Sequence, residues 1–237
     1  MTSQTLSDTR VLAGMGSQLV RRTAKLASGG KAIGWKAGFG APAALKTFAL
    51  PGPLAGFMMQ ENVLATGAEA SLKGWIKPVA EPEVAVWFGR DLADGADPAA
   101  VKSAIKGLGP AIELADMEFA PEDITRILDA NIYHRHVILG PCDETRAGAA
   151  LDGLVSRVTR NGKDFASVTE IEANTGRVLD VAAHVASTLA ACGEKIRAGD
   201  VLICGSITPP IFLDANDTQL EHGFGGIGSV SVRLSSS

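Results

Sequence analysis

A chain of 237 residues with 46% hydrophobic content is long enough to bury a sizeable core, and nothing in its composition suggests disorder. Its 22 basic and 26 acidic residues leave a formal charge of -4 and a pI near 5.6, so no basic patch advertises a nucleic-acid partner and small-molecule chemistry is favoured. Cys142, Cys192 and Cys204 are odd in number, far apart and without C-x-x-C spacing, which indicates neither a disulfide framework nor a thiolate zinc site.

The first residues carry neither the basic cluster nor the apolar core of a secretory signal, and no run of about 18 apolar residues could span a bilayer, so a cytoplasmic protein is expected. From Ser7 to about Ala27, the residues Leu12, Met15, Leu19, Thr23 and Leu26 recur every three or four positions. That periodicity predicts an amphipathic helix, stopped by Gly29-Gly30. Lys36 comes next in a short strand-like piece, Ile33-Gly34-Trp35-Lys36-Ala37-Gly38. A lysine between apolar neighbours is either a snorkelling surface residue or a buried cation.

Residues 41–53 read as a brief helical turn running into Pro51-Gly52-Pro53, a segment suited to a pocket wall or lid. Leu54 to Met59 and Val63-Leu64 are strand-like, with Glu61 between them as an acid among apolar residues. Val79 to Asp91 predicts a strand that carries Glu81 and Glu83 near its start. Alternation puts both carboxylates on one face, with Cα atoms roughly 6–7 Å apart, while Val84 and Val86 take the other. Two such acids are either a solvated strand end or a site whose mutual repulsion a cation relieves.

Asp97-Pro98 predicts a helix start for Ala99 to Lys106. Gly107 to Pro110 then leads into a second acid-bearing strand, Ala111 to Asp116. An ionised Glu113 inside it needs a partner. If Glu113 faces the same cavity as Glu81 and Glu83, three carboxylates converge, and Mg²⁺ or Mn²⁺ becomes the natural stabiliser, with up to three positions open for water and a chelating substrate.

Pro121 predicts another helix, ending near Asp129, with a strand through Val137 to Gly140 after it. His134 and His136 have H-x-H spacing and read either as a metal pair or as ordinary surface or hydrogen-bonded histidines. Asn161-Gly162 predicts a hairpin turn between Leu154–Arg160 and Lys163–Thr169. Val178 to Cys192 predicts a helix stopped by Gly193. Val201 to Cys204 forms an apolar strand ending in Gly205-Ser206-Ile207-Thr208, whose hydroxyls and backbone N–H groups suit carboxylate binding or simply cap a polar strand end. Gly223 to Gly228 is not a phosphate loop, because the alternating strand Ser229 to Leu234 comes after it rather than a helix. No linker or repeat divides the chain, so 1–237 is expected to form one α+β domain with a helical N-terminal segment, about 5–28, packed on it.

Gly34-Trp35-Lys36-Ala37-Gly38, Glu81-Pro82-Glu83-Val84-Ala85, Ile112-Glu113-Leu114-Ala115-Asp116, Ala198-Gly199-Asp200-Val201-Leu202-Ile203 and Gly225-Gly226-Ile227-Gly228-Ser229-Val230 occur together and in order. In this the chain resembles the 2-keto-4-pentenoate hydratase and 4-oxalocrotonate decarboxylase branch of the fumarylacetoacetate hydrolase superfamily. The resemblance implies a rolled, mixed β core with peripheral helices, a homo-oligomer, and Mg²⁺ or Mn²⁺ held by Glu81, Glu83 and Glu113. It also implies that Lys36 lies in the active site, with Ser206, Thr208 and Asn131 in substrate binding. The implied activity is metal-dependent hydration of an unsaturated 2-oxo acid in the catabolism of aromatic compounds. The alternatives are decarboxylation of a 2-oxo-3-enedioate, acylpyruvate-type C–C hydrolysis, or a silent metal-binding subunit. The hydrolase option is lowered because the N-terminal half holds no histidine for the His-Glu lid pair of the related hydrolases. Two departures stand out: the family's D-N-x-S-S stretch reads Ala130-Asn131-Ile132-Tyr133-His134 here, and its Asp-Ser-Arg reads Asp116-Met117-Glu118.

Overall fold

The computed structural model of the chain describes residues 8–236. In its first half run α1 (Thr9–Ala27), β1 (Ala32–Gly38), α2 (Pro42–Phe48), β2 (Leu54–Met59), β3 (Val63–Leu64), β4 (Glu69–Ser71), β5 (Pro78–Phe88), α3 (Pro98–Ala104) and β6 (Ile105–Asp116). Then come α4 (Ile124–Asp129), β7 (His134–Leu139), β8 (Ser156–Arg160), β9 (Lys163–Val168), α5 (Val178–Ala191), β10 (Val201–Ser206), β11 (Ile211–Phe212), β12 (Gln219–Phe224) and β13 (Gly228–Ser235).

The long antiparallel pair β5 and β6 is the axis of the larger sheet, whose order is β2-β1-β10-β5-β6-β7-β3, with β11 added to β5. Parallel pairs, β1 with β10 and β3 with β7, sit among antiparallel ones, so the sheet is mixed. Cross-strand partners point the same way. The register Lys36↔Ile203, Ile203↔Ala85, Glu83↔Ala111, Glu81↔Glu113 and Glu113↔Val137 therefore collects these side chains on one face. Met58, Ala85, Ala111, Val137 and Ile203 form a dry floor on it. The opposite side of β6 presents Ile112 and Leu114 to the second sheet, β4-β13-β12-β8-β9, where Val158, Leu220, Val230 and Val232 meet them. His222 ties the two sheets: its Nδ1 lies 2.9 Å from the Ala111 carbonyl and its Nε2 3.1 Å from Ser156 Oγ. Burial pushes this imidazole down to about 4. The helices stay at the periphery, giving an α+β fold around a curled mixed β core.

Several local expectations shift. The start expected at Ser7 lies outside the described residues, within which the helix runs over Thr9–Ala27, with Asp8 as its N-cap accepting the Arg10 N–H at 2.9 Å. The strand expected from Ala111 begins at Ile105 and passes through Pro110. Proline lacks a donor, yet its carbonyl still accepts from Gly140 N at 2.9 Å, so the pairing continues. The helix expected at Pro121 begins at Ile124, because the Asp123 carboxylate takes the Thr125 N–H at 2.9 Å and caps it there. Asn161 (φ 55°) and Gly162 (φ 72°) occupy the two left-handed positions of the predicted hairpin turn. Pro51-Gly52-Pro53 packs against His184 of α5 instead of forming a cavity wall.

Candidate active site

Glu81, Glu83 and Glu113 offer carboxylate oxygens that all lie within 4.8 Å of one another. The strand period places the first two on one face of β5, and the β5–β6 register puts Glu113 directly opposite Glu81. Glu83 and Glu113 are fully buried. Glu83 Oε2 accepts the Gly205 N–H at 2.5 Å. That contact depends on a bulge between Ile203 and Ser206, where Gly205 sits at φ +95°, a conformation that suits glycine.

Lys36, only 1% exposed, is a buried cation and not a snorkelling one. Its Nζ donates to Glu113 Oε1, and also to the Ile132 carbonyl at 3.1 Å. The same Glu113 oxygen lies 2.6 Å from His134 Nδ1. Burial drives the three carboxyls toward the neutral form, but the outcomes differ. Glu83 is raised well above the usual carboxylate range by burial and by its two acidic neighbours. Glu81 is pushed up to about 7 by burial and Glu113. For Glu113, burial is outweighed by Lys36 and His134, which hold it below its ordinary value. Burial lowers His134 as well, which favours its neutral form, and a ring that donates to the Glu113 carboxylate from this position does so through Nδ1–H.

Glu83 Oε1 and Glu113 Oε2 are buried and have no hydrogen-bond partner among the described residues. Orphaned carboxylate oxygens are costly unless something positive completes them. Three hard oxygen donors with two such atoms fit a divalent cation of the Mg²⁺ or Mn²⁺ type.

Of the three acids, Glu81 lines a cavity of about 280 Å³ between β1, the start of α2, the end of β6 and the 205–210 segment. Ser206 lines it, and its buried Oγ has no partner among the described residues. The other two residues expected to bind substrate are spent elsewhere. Thr208 donates its hydroxyl to the Pro209 carbonyl at 2.9 Å. Asn131 Oδ1 accepts from Phe57 N and Asn131 Nδ2 donates to Phe57 O, both at 2.9 Å. Asn131 thus pins a turn in which Asn131, Ile132 and Tyr133 all have left-handed φ (52°, 52° and 62°), and this turn presents the Ile132 carbonyl to Lys36. Gly56 makes room for it: a Cβ there would stand 2.9 Å from both Asn131 Oδ1 and Lys36 Cγ.

Glu61 is outside the site, paired with Lys25 at the surface at 2.6 Å. The two β7 histidines part company. A register shift between Leu114 and Ala115 turns His134 toward Glu113, whereas His136 stacks on Trp75 with centroids 6.1 Å apart. Asn174 and Thr175 of the cavity wall give no signal in the sequence beyond a polar loop. Asn174 Nδ2 donates to the carbonyls of Ser206 and Thr208, at 2.8 and 3.1 Å, and so shapes the segment that carries the free hydroxyl. Arg135 of β7 lies beside the segment after Asp116, 3.0 Å from Glu118 and 3.5 Å from Asp116.

The sequence model described as fumarylacetoacetate (FAA) hydrolase C-terminal matches residues 36–235. The 2-hydroxyhexa-2,4-dienoate hydratase of Comamonas testosteroni is 28% identical over 214 residues, covering 88% of this chain and 80% of the relative. A 2-keto-4-pentenoate hydratase of Burkholderia vietnamiensis is 27% identical over 217 residues, covering 90% and 82%. Among solved structures, 4-oxalocrotonate decarboxylase from Pseudomonas putida G7, complexed with magnesium and adipate, superimposes with a TM-score of 0.82 at 26% identity, covering 92% of this chain and 83% of that one.

Proposed function

The chain belongs to the fumarylacetoacetate (FAA) hydrolase family, and on that premise we propose that it is a divalent-metal-dependent lyase that adds water to an unsaturated 2-oxo acid from the catabolism of aromatic compounds. The observation that carries this reading is the convergence of Glu81, Glu83 and Glu113, two of them with orphaned oxygens, beside the buried Lys36, with Glu81 lining a cavity. The curated relatives named as hydratases support the same chemistry.

In this reading the three glutamates hold Mg²⁺ or Mn²⁺, which when bound supplies Lewis acidity to the carboxylate and keto oxygens of a 2-oxo acid. Lys36, locked by Glu113 and the Ile132 carbonyl, balances the negative charge that develops on the substrate or passes a proton there. His134 holds Glu113 from the other side as a neutral donor. Ser206 is assigned the substrate carboxylate, because its hydroxyl has no other partner among the described residues. Thr208 and Asn131 are assigned to holding the backbone around Ser206 and Lys36, one step from the substrate. The apolar cavity excludes water from these contacts and so strengthens them.

Decarboxylation is the second reading, favoured by the similarity to the decarboxylase structure. Incubating the Mg²⁺-loaded chain with a 2-hydroxy-2,4-dienoate and with the corresponding dienedioate, then weighing the products by mass spectrometry, separates the two. Gain of one water by the monoacid is the expected result; loss of CO₂ from the diacid with no hydration would replace it. A homo-oligomer in solution belongs to the same reading. It is supported by the family resemblance and by the exposed apolar side chains Val20, Ile76, Phe165 and Phe212. No helix among the described residues is long and apolar enough to cross a membrane.

A further inference from the structure

Both fully buried acids of the cluster have one oxygen engaged by the protein and the other left free. In Glu83, Oε2 accepts the Gly205 N–H and Oε1 has no partner among the described residues. In Glu113 the pattern is reversed: Oε1 meets both Lys36 and His134, and Oε2 has no partner among the described residues. Resting on the reading of this cluster as a divalent-cation site, we infer that His134 is a positioning residue for it: the ring withholds Oε1 from the cation, so that Glu113 binds through Oε2 alone. The site then favours a small octahedral ion over a larger one that takes a carboxylate by both oxygens.

Two donors on one oxygen are not redundant here. Lys36 Nζ is an ammonium, and a dication arriving at the other oxygen of the same carboxylate repels it. It also has a second acceptor, the Ile132 carbonyl at 3.1 Å, to hold it without Glu113. His134 has no such alternative. Its side chain is 2% exposed, its Nδ1 lies 2.6 Å from Glu113 Oε1, and its Nε2 is buried with no partner among the described residues. A free nitrogen buried in this way is costly, and the contact with Glu113 is the polar interaction that offsets it.

The backbone holds the ring in place. His134 opens β7 directly after the left-handed turn of Asn131, Ile132 and Tyr133, and the register shift between Leu114 and Ala115 turns it onto Glu113. The stretch of the family that this chain resembles has a serine at this position, so a ring N–H on Glu113 is a feature of this chain's own sequence. The consequence lies in coordination. Mg²⁺ demands near-ideal octahedral geometry and keeps several of its waters, whereas Ca²⁺ takes more oxygens and often both from one carboxylate. With Glu83 Oε2 and Glu113 Oε1 engaged, that second mode is closed at both buried acids. Removing the ring donor reopens it at Glu113.

The test displaces Mn²⁺ from the full chain with Mg²⁺ and with Ca²⁺, reading released Mn²⁺ by electron paramagnetic resonance, in the native chain, His134→Leu and His134→Asn. Leucine keeps bulk without a donor, and the asparagine amide restores an N–H close to the place of Nδ1. The native chain is expected to bind Mg²⁺ at least as tightly as Ca²⁺. His134→Leu is expected to move the ratio of the two affinities toward Ca²⁺ by roughly ten- to a hundredfold, and His134→Asn to stay within about threefold of native. A change that merely loosens the fold weakens both ions and leaves the ratio unmoved. An unmoved ratio in His134→Leu, an equal shift in both variants, or tighter binding of Ca²⁺ than of Mg²⁺ by the native chain overturns the inference, and the native comparison decides even where a variant does not fold. If the native chain binds Mn²⁺ and any of these results follows, the cation-site reading stands and the role of His134 falls; if it binds no Mn²⁺, the cation-site reading itself fails.

Discussion

Glu81 and Glu83 are carboxyl groups that the metal-free chain holds toward their acid forms, because burial and mutual repulsion both disfavour charge. A carboxyl whose folded value is raised contributes stability that is complete below its ordinary value of 4.5 and is lost as pH rises through the folded value, about 7 for Glu81. The metal-free protein should therefore lose thermal stability between about pH 5 and pH 8, with Glu83 acting in the same direction. A bound cation reverses this, since it prefers the ionised carboxylates and displaces their protons. Melting temperatures measured across that range in EDTA and in millimolar Mg²⁺ should diverge as pH rises, and Glu81→Gln should flatten the EDTA curve. Parallel curves, with no Mg²⁺ effect at the alkaline end, would contradict this assignment.

Among the elements, the turn between α4 and β7 carries a cost and a purpose. Three successive non-glycine residues in the left-handed region cost about 1–2 kcal/mol each, and such strain persists only where its surroundings over-determine it. The Asn131 clamp on Phe57 of β2 is that constraint, and Lys36 gains the Ile132 carbonyl from it. Asn131→Ala should destabilise the protein by about 1–3 kcal/mol through the unpaired Phe57 groups, read by urea unfolding, and should lower kcat more than it changes KM because Lys36 loses its support. Unchanged stability and kcat would show the clamp to be idle. None of this is legible locally. The acids of β5 can be read from their two-residue period, but the burial of Lys36 depends on Glu113, 77 positions away. The H-x-H spacing of β7 suggests a shared face, and a register shift against β6 undoes it. The motif around Asn131 points to substrate, yet its partner Phe57 lies 74 positions back.

For the whole molecule, the pattern of long-range pairing explains which conclusions the sequence supports. The order of motifs along the chain points to the mixed, curled sheet, because each motif is a strand or strand end of the β core: β1, β5, β6, β10 and β13. What stays hidden is how the curl closes: β10 inserts between β1 and β5 and brings Gly205 and Ser206 over Glu83. This closure makes one concave face do two jobs, a dry floor of Met58, Ala85, Ala111, Val137 and Ile203, and an acidic end poised for a cation.

That acidic end, with Lys36, is proposed to run metal-dependent chemistry on a 2-oxo acid, and the sharpest check is the absorbance of a 2-hydroxy-2,4-dienoate with the native chain, Glu83→Ala and Lys36→Met, each with Mg²⁺ and with EDTA. The native chain should consume the dienoate only with Mg²⁺, Glu83→Ala should show no turnover, and Lys36→Met should lose about a hundred- to ten-thousandfold in kcat. Turnover by the native chain in EDTA, or an active Glu83→Ala, would contradict the proposal.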